Sequence, residues 1–172
     1  MNDRALPGGA GAKKQAGAEG DREAVSRLIG RPARCELEVV LRDETGSPVV
    51  IQNEPLLDDG TPMPTRWWLT SRELCAAVSR VEAGGGVRQA SEAVDPKELA
   101  RAHERYARDR DRAVPSGHLG PRPAGGVGGA RAGVKCLHAH LAWYLAGGDD
   151  PVGRWVADQI GVGRSGPFRA GR

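Results

Sequence analysis

The residues of this sequence best suited to chemistry are a cysteine and two histidines that follow a glycine-rich loop. Residues 125–140 read GGVGGARAGVKCLHAH and include Cys136, His138 and His140. A thiolate is a nucleophile and a metal ligand, and an imidazole takes up or releases a proton near neutral pH. We therefore predict that His138 and His140 are the catalytic residues, with buried, hydrogen-bonded packing as the alternative for either ring.

The loop before the cysteine is a candidate anion-binding site. Glycines let backbone N–H groups approach a ligand closely, and the positive end of a following helix dipole attracts negative charge. Cationic side chains would neutralise a bound phosphate or carboxylate. The predicted anion-binding residues are Gly126, Gly128, Gly129, Arg131 and Lys135. The spacing fits neither a Walker A motif nor a dinucleotide fingerprint, so a tightly turned structural loop is the alternative.

Metal binding is a further hypothesis for the same segment. The hydrophobic spacing predicts a helix over 134–146, on which Cys136 and His140 face the same way and His138 faces away. An extended segment would instead place all three side chains on one face. On the helix, zinc or another divalent cation would need more ligands, and His118 in the preceding loop is the first candidate. The predicted metal ligands are therefore Cys136, His140 and His118.

Composition indicates one cytoplasmic domain. The chain has 172 residues, of which 39% are hydrophobic, enough for one core. No apolar run reaches the roughly 18 residues of a membrane span, and no apolar signal-peptide segment is present at the N-terminus. Three cysteines do not make a secreted disulfide framework. The net charge of +3 is weak for a dedicated nucleic-acid binder, although a pI near 9 permits an anionic partner.

The hydrophobic patterns predict an α+β fold. Apolar residues alternate with glutamates over 35–41, and turn residues follow before the apolar run 49–51, which is typical of a β-hairpin. The aromatic run 66–69 predicts a further strand. Helix starts are indicated at Asp21, at Thr70 with Glu73, at Asp95 with Pro96, at Val134, and at Asp150 with Pro151. We therefore predict a small antiparallel sheet at about residues 35–69, packed with about five helices.

Both chain ends are predicted to lie outside this domain. Residues 1–20 are rich in glycine, alanine and charge, with no aromatic or β-branched side chain, so we expect a disordered N-terminal tail. Residues 161–172 contain three arginines and the single phenylalanine, and we expect a flexible basic C-terminal tail. The folded domain is therefore predicted to span residues 21–160.

Several blocks of the sequence resemble an uncharacterised bacterial family of actinobacterial type, domain of unknown function 501. The blocks are LIGRP at 28–32, DGTPMPT at 59–65, WLT at 68–70, GGVGG at 125–129, VKCLHAH at 134–140 and DPVG at 150–153. The resemblance implies no established activity. It implies genes near those of a septum-formation initiator and an exopolyphosphatase, and hence a link to cell division or to polyphosphate metabolism.

The resemblance also implies two cysteines that this chain does not have. One is expected near Asp43 in the hairpin turn, and the other at Ser71. If those thiols share a metal with Cys136 in the family, this chain has lost or replaced ligands, with Cys35 and Cys75 as nearby substitutes. If they form a separate pair, the segment around Cys136 is unaffected.

Two function hypotheses result. The first is an anion-binding protein with hydrolase-type chemistry on a phosphorylated small molecule, in which His138 or His140 is the general acid or base. The second is a non-catalytic module that binds a protein partner through the charged helix 96–113 and the basic C-terminal tail. Convergence of the loop, Lys135 and a histidine on one concave pocket favours the first hypothesis, whereas scattered residues or closed-off histidines argue against it.

Overall fold

The computed structural model describes the backbone of residues 10–164 and 166–171, with side chains from Glu19 onwards. Over these residues the chain forms a four-stranded antiparallel sheet and six α-helices, which confirms the predicted single-domain α+β fold. The strands are β1 (Leu37–Asp43), β2 (Pro48–Asn53), β3 (Trp67–Leu69) and β4 (Phe168–Ala170). The helices are α1 (Ala10–Ile29), α2 (Arg72–Ala83), α3 (Gly86–Ala93), α4 (Pro96–Asp111), α5 (Leu137–Leu145) and α6 (Pro151–Ile160). None of these helices has both the length and the apolar character that crossing a membrane requires.

The sheet has the strand order β3-β2-β1-β4, with every neighbouring pair antiparallel. The predicted hairpin forms from β1 and β2, with Val39 opposite Ile51, and a bulge beyond Val39 shifts the register. The predicted aromatic strand is β3, which pairs with the free edge of β2. Helix α1 covers one face of the sheet, where Val25 packs against Val39 and Ile51.

The larger part of the core lies on the opposite face, beneath α2 to α6. Because successive strand residues point to opposite faces, Trp68 packs toward α1 while Trp67 joins the larger core. Trp67, Tyr106 of α4 and Trp143 of α5 meet there, with ring centroids 5.1 to 6.1 Å apart. These rings hold α4 and α5 against β3.

Two helices begin later than the sequence predicts. Ser71, not Thr70, is the N-cap of α2, since its hydroxyl accepts from the Leu74 N–H at 3.3 Å. The Thr70 hydroxyl donates to the Pro48 carbonyl instead. Helix α5 starts at Leu137 rather than at Val134, and Cys136 is its extended N-cap residue, with φ −149° and ψ 113°. Cys136 therefore does not lie on the helical face predicted for it.

Regular secondary structure extends beyond the predicted domain, residues 21–160, at both ends. Helix α1 begins at Ala10, inside the segment 1–20 for which disorder is predicted, and residues 1–9 lie outside the described residues. Strand β4 lies inside the predicted tail 161–172 and pairs with β1, with Ala170 opposite Leu41. The physical reason is the edge of β1, whose backbone N–H and C=O groups take a further strand.

A buried polar pair joins α5 to α6. Asp150, predicted to cap a helix, accepts from the Val152 and Gly153 N–H groups through Oδ1. Its Oδ2 accepts from His140 Nδ1 at 2.7 Å, and neither side chain is exposed to solvent. The Asp150 carboxylate thus caps α6 and, through His140, anchors the middle of α5.

We expect the Asp150→Ala substitution to lower the free energy of unfolding by about 2 to 5 kcal/mol, because it removes a helix cap and leaves the His140 ring without its partner. Asp95→Ala is the matched control, since Asp95 caps α4 at the surface with two N–H bonds. It should cost about 1 kcal/mol. Urea denaturation of both variants measures the difference, and equal losses would contradict the structural role of the buried pair.

Candidate functional site

The cluster most capable of chemistry combines a side chain of α2, a side chain of α5 and that of the residue just before α5. The Cys136 thiol, a ring nitrogen of His138 and a carboxylate oxygen of Glu82 all lie within 4.8 Å of one another. His138 Nδ1 is 3.3 Å from Glu82 Oε1. On the other side of the ring, His138 Nε2 is 3.1 Å from the Cys75 carbonyl oxygen and 3.3 Å from Ser79 Oγ. Both ring nitrogens therefore have partners.

Glu82 is the residue that builds this arrangement. It lies in the last turn of α2, and its Oε1 accepts from the Leu137 N–H, the first backbone donor of α5, at 2.8 Å. The carboxylate thereby satisfies one of the N–H groups that a helix start leaves without an intrahelical acceptor. Because α5 begins at this bond, Cys136 stays in the extended N-cap position and its side chain can reach His138, one helical residue further on.

The electrostatics of the cluster favour a charged pair. The hydrogen bond with Cys136, joined by the Cys75 carbonyl and the Glu82 charge, raises the pKa of His138 to about 9 although burial opposes the charge. For Cys136, burial opposes ionisation, yet His138 and the Ala139 N–H leave the pKa of the thiol below its usual value. At neutral pH the arrangement therefore favours a protonated His138 beside a Cys136 thiol that ionises more readily than an ordinary one.

The other two thiols are held in the opposite state. Burial raises the pKa of Cys75, as does the nearby Cys136, and burial likewise raises the pKa of Cys35. Cys75 donates its S–H to the Leu69 carbonyl, and Cys35 donates to Asn53. Cys136 is thus the cysteine of the chain whose surroundings activate it as a nucleophile.

A hollow opens beside the activated thiol, between β3 and the start of α5. It has a volume of about 200 Å³. We call it the Cys136 hollow, and its lining residues are Thr65, Trp67, Trp68, Leu69, Cys136, His138 and Ala139. Its wall is mainly apolar, and the His138 side chain is 26% exposed. A ligand of a few heavy atoms could therefore reach both the sulfur and the imidazole.

The second predicted catalytic histidine lies elsewhere. His140 is completely buried, with Nδ1 on Asp150 and with its Nε2 making no hydrogen bond among the described residues. Its ring lies 5.8 Å from that of His103, between centroids. His140 has no access to solvent. Its geometry therefore matches the alternative of buried, hydrogen-bonded packing.

The predicted metal ligands are not brought together. Cys136 meets His138 and Glu82, His140 is held by Asp150, and His118 lies in the loop with Nε2 3.0 Å from the Pro121 carbonyl. The physical reason is the late start of α5, which takes Cys136 off the helical face of His140. In the described part of the chain, the three side chains positioned to hold a metal are Glu82, Cys136 and His138.

The glycine-rich loop is bound to its own backbone and to α4. The Gly126 N–H donates to the Ala130 carbonyl at 2.7 Å, and the Gly129 N–H donates to the Gly126 carbonyl. The Val127 N–H donates to His103 Nδ1 at 3.0 Å, and a Cβ at position 126 would overlap that ring. These N–H groups are therefore engaged within the protein, and the glycines serve to turn the chain against His103.

A buried arginine clamps the beginning of the same loop. Arg110 lies in the charged helix, but its side chain is only 1% exposed. Its guanidinium donates to the carbonyls of Gly125 at 2.7 Å, Ala124 and Pro123, and it pairs with Asp111. The five N–H donors of a guanidinium allow Arg110 to bind several loop carbonyls at once. The alternating charges in the sequence did not reveal this role.

The cationic residues of the predicted anion site diverge. Arg131 lines a groove of about 490 Å³ with His103 and Gly133, which is separate from the Cys136 hollow. Lys135 is exposed and directly precedes Cys136. Anion binding by Gly126, Gly128, Gly129, Arg131 and Lys135 stays a prediction, and of these residues Lys135 is the chain neighbour of the thiol.

The two positions at which the resemblance implies cysteines lie together. Asp43 and Ser71 line one hollow under β4, and Cys136 is not part of it. Cysteines at these two positions would therefore lie at a different surface from Cys136.

Sequence reasoning missed Glu82, although one signal was present. An acidic residue in the last turn of a helix is opposed by the negative end of the helix dipole. Glu82 lies in that position in α2, and its compensation is the Leu137 N–H and the His138 ring. A carboxylate in the last turn of a helix therefore indicates that a hydrogen-bond donor from another part of the fold binds it.

We expect the His138 ring to stay protonated until the pH approaches 9, because its proton is held by Cys136 and by the Cys75 carbonyl. Cys136→Ala should lower that pKa, whereas Cys75→Ala keeps the carbonyl and should leave the pKa within a few tenths of a unit. NMR titration of the ring resonances, assigned with His138→Gln, measures both effects. A wild-type value near the ordinary 6.5 would contradict the charged pair.

The comparisons with known proteins identify a family but no activity. A search of curated proteins and a search of solved structures each give no match. A family model described as "Protein of unknown function (DUF501)" matches residues 39–158, a range that contains Glu82, Cys136 and His138. The chain therefore belongs to the DUF501 family of proteins of unknown function.

Proposed function

We propose that this protein is a cysteine-dependent acyl hydrolase or acyl transferase with Cys136 as its nucleophile. The observation that carries the proposal is the Cys136–His138 pair at the edge of an open, mainly apolar hollow. A thiol next to an imidazolium and at a helix start is the usual setting of a reactive cysteine. The proposal keeps the hydrolase-type chemistry and the role of His138, and it takes His140 out of the reaction.

Hydrolysis needs no group besides the substrate and water, and in acyl transfer an acceptor hydroxyl, thiol or amine takes the place of that water. The Cys136 thiolate attacks the carbonyl carbon of an ester, thioester or amide, and the leaving group departs with a proton taken from the His138 imidazolium. A thioester on Cys136 results. The neutral His138 ring then accepts a proton from water as the water oxygen attacks that thioester. The thiolate departs, and the charged pair is restored.

The surroundings of the pair suit this sequence of proton transfers. The Cys75 carbonyl and Glu82 hold the His138 ring on both sides, so the ring is oriented before a substrate binds. The thiolate lies at the N-terminus of α5, where the helix dipole and the first N–H groups stabilise negative charge. The Leu137 N–H is taken by Glu82 and the Ala139 N–H by the thiol, which leaves the His138 N–H, between them, as the proposed donor for the oxyanion that forms during attack.

The predicted anionic ligand fits this proposal as part of the substrate. Lys135 is exposed and adjacent in sequence to the thiol. A phosphate or carboxylate on the leaving group would find a positive charge within one residue of Cys136. The substrate class proposed here is therefore an acyl compound with an apolar acyl part for the Cys136 hollow and an anionic leaving group.

Zinc binding is a second candidate function, favoured by the same three side chains. Thiolate, imidazole and carboxylate are the zinc ligands of proteins, and three of them with one open position is the arrangement of catalytic zinc sites. His138 Nε2 lies against the Cys75 carbonyl, as the outer nitrogen of a metal-bound histidine commonly does. A zinc ion bound to Cys136 would prevent its thiolate from acting as a free nucleophile. One experiment can therefore distinguish the two functions.

The test uses p-nitrophenyl acetate as the acyl donor and intact-protein mass spectrometry as the readout. We expect a rapid release of nitrophenol and one acetyl group on Cys136, located by peptide mapping. Cys136→Ser should abolish the acetylated species. His138→Gln should slow acylation by about 100-fold or more, because it removes the ion pair and the proton donor. Cys75→Ser is the matched control and should acylate at the wild-type rate.

Metal analysis of the same wild-type protein, purified without chelator, completes the test. A metal-free protein that acylates at Cys136 supports the nucleophile. Stoichiometric zinc that is lost in Cys136→Ser supports the second candidate. Acetylation spread equally over Cys75 and surface lysines, with no metal, would overturn both and return the non-catalytic partner-binding module as the leading hypothesis.

A further inference from the structure

A second cavity lies on the other face of the sheet, between α1 and the hairpin. It encloses about 50 Å³ and is lined mainly by apolar side chains, among them Val25, Ile29, Leu37, Ile51 and Met63. We call it the α1 pocket. The sheet separates it from the larger core.

Two buried hydrogen-bond donors border the α1 pocket without partners. Asn53 is 3% exposed, and its Nδ2 makes no hydrogen bond among the described residues. The Asn53 Oδ1 accepts from the Cys35 thiol at 3.6 Å, which leaves the amide NH₂ as the unused group. The buried indole Nε1 of Trp68 is likewise without an acceptor in the described structure. Buried donors of this kind are normally satisfied, so the pair indicates an acceptor that belongs there.

An arginine without an ion pair among the described residues lies at the edge of the α1 pocket. Residues 31–34 form part of its wall and include two exposed arginines. Arg34 is paired with Asp59 at 3.3 Å, whereas Arg31 makes no ion pair within the described residues. The Arg31 guanidinium lies 5.2 Å from the centre of the Trp68 ring, whose indole carries one of the two unused donors. A positive charge thus stands where an anionic head group would enter.

The size of the cavity restricts the ligand. A single water needs about 10 to 15 Å³ of such volume, so the α1 pocket has room for a group of only a few heavy atoms. Its apolar wall favours an alkyl chain, and its two donors and the free arginine favour an acceptor with negative charge.

We propose that the α1 pocket binds a short aliphatic carboxylate. The carboxylate oxygens accept from Asn53 Nδ2 and Trp68 Nε1, Arg31 balances the charge at the entrance, and the alkyl chain lies against Val25 and Ile29. Trp68 also borders the Cys136 hollow, so a ligand in the α1 pocket is placed to steady one wall of the candidate catalytic site.

The test is a titration with butyrate, followed through the indole N–H signal of Trp68 and the side-chain NH₂ signals of Asn53 in ¹⁵N-resolved NMR spectra. We expect saturable shifts of these signals. Arg31 is at the surface, so the Arg31→Gln substitution leaves the core intact. It should weaken butyrate binding about tenfold. Trp68→Phe removes one donor but keeps an aromatic ring, and it should weaken binding to a similar extent. Trp155→Phe, in α6, is the matched control and should bind as the wild type does.

Butylamine at the same concentrations is the matched ligand control, because it has the same chain length and the opposite charge. Binding of butyrate without binding of butylamine supports the proposal. Shifts that do not saturate, shifts of equal size with both compounds, or unchanged binding in both Arg31→Gln and Trp68→Phe would overturn it. None of these readouts depends on Cys136, so failure here leaves the proposed acyl chemistry to its own test.

Discussion

The Glu82 carboxylate makes the two contacts on which the candidate site depends. It accepts from the Leu137 N–H at 2.8 Å, which fixes the first residue of α5, and it lies 3.3 Å from His138 Nδ1, which fixes the ring. The first contact leaves Cys136 extended, outside the helix. The second turns the imidazole so that it faces both the carboxylate and the thiol. A single acidic side chain at the end of α2 therefore holds His138 beside Cys136 and favours the charged form of the ring.

The remaining polar groups of the interior hold the frame around that pair. Asp150 ties the middle of α5 to the start of α6 through His140, and Arg110 ties the glycine-rich loop to α4 through three carbonyls. His103 accepts a loop N–H at Nδ1 and faces the Gly133 carbonyl with Nε2, and burial lowers its pKa. These groups are enclosed by the fold, and within the described residues His140 Nε2 is the polar atom among them that lacks a partner, whereas His138 is partly exposed and borders an open hollow. Burial thus separates the structural histidines from the candidate catalytic one.

Local signals in the sequence predicted most of the fold. Period-2 alternation identified the hairpin, and Asp95–Pro96 and Asp150–Pro151 identified the starts of α4 and α6, because both signals depend on neighbouring residues alone. The start of α5 and the pairing of β4 with β1 were not predicted, since each depends on a partner far along the chain. The same limit applies to the site. Cys136 and His138 were named from their chemistry, but the choice between His138 and His140 depends on Glu82 and Asp150, which no short-range pattern connects to them.

The most direct test of this account is the pH dependence of alkylation of Cys136 by iodoacetamide, followed by peptide mass spectrometry in the wild type and in His138→Gln. The account predicts a midpoint below the ordinary thiol value in the wild type, a higher midpoint in His138→Gln because the imidazolium is lost, and a Cys75 midpoint above both the usual value and that of Cys136. A Cys136 midpoint that is the same in both proteins, or no lower than that of Cys75, would contradict the thiolate–imidazolium pair and the function built on it.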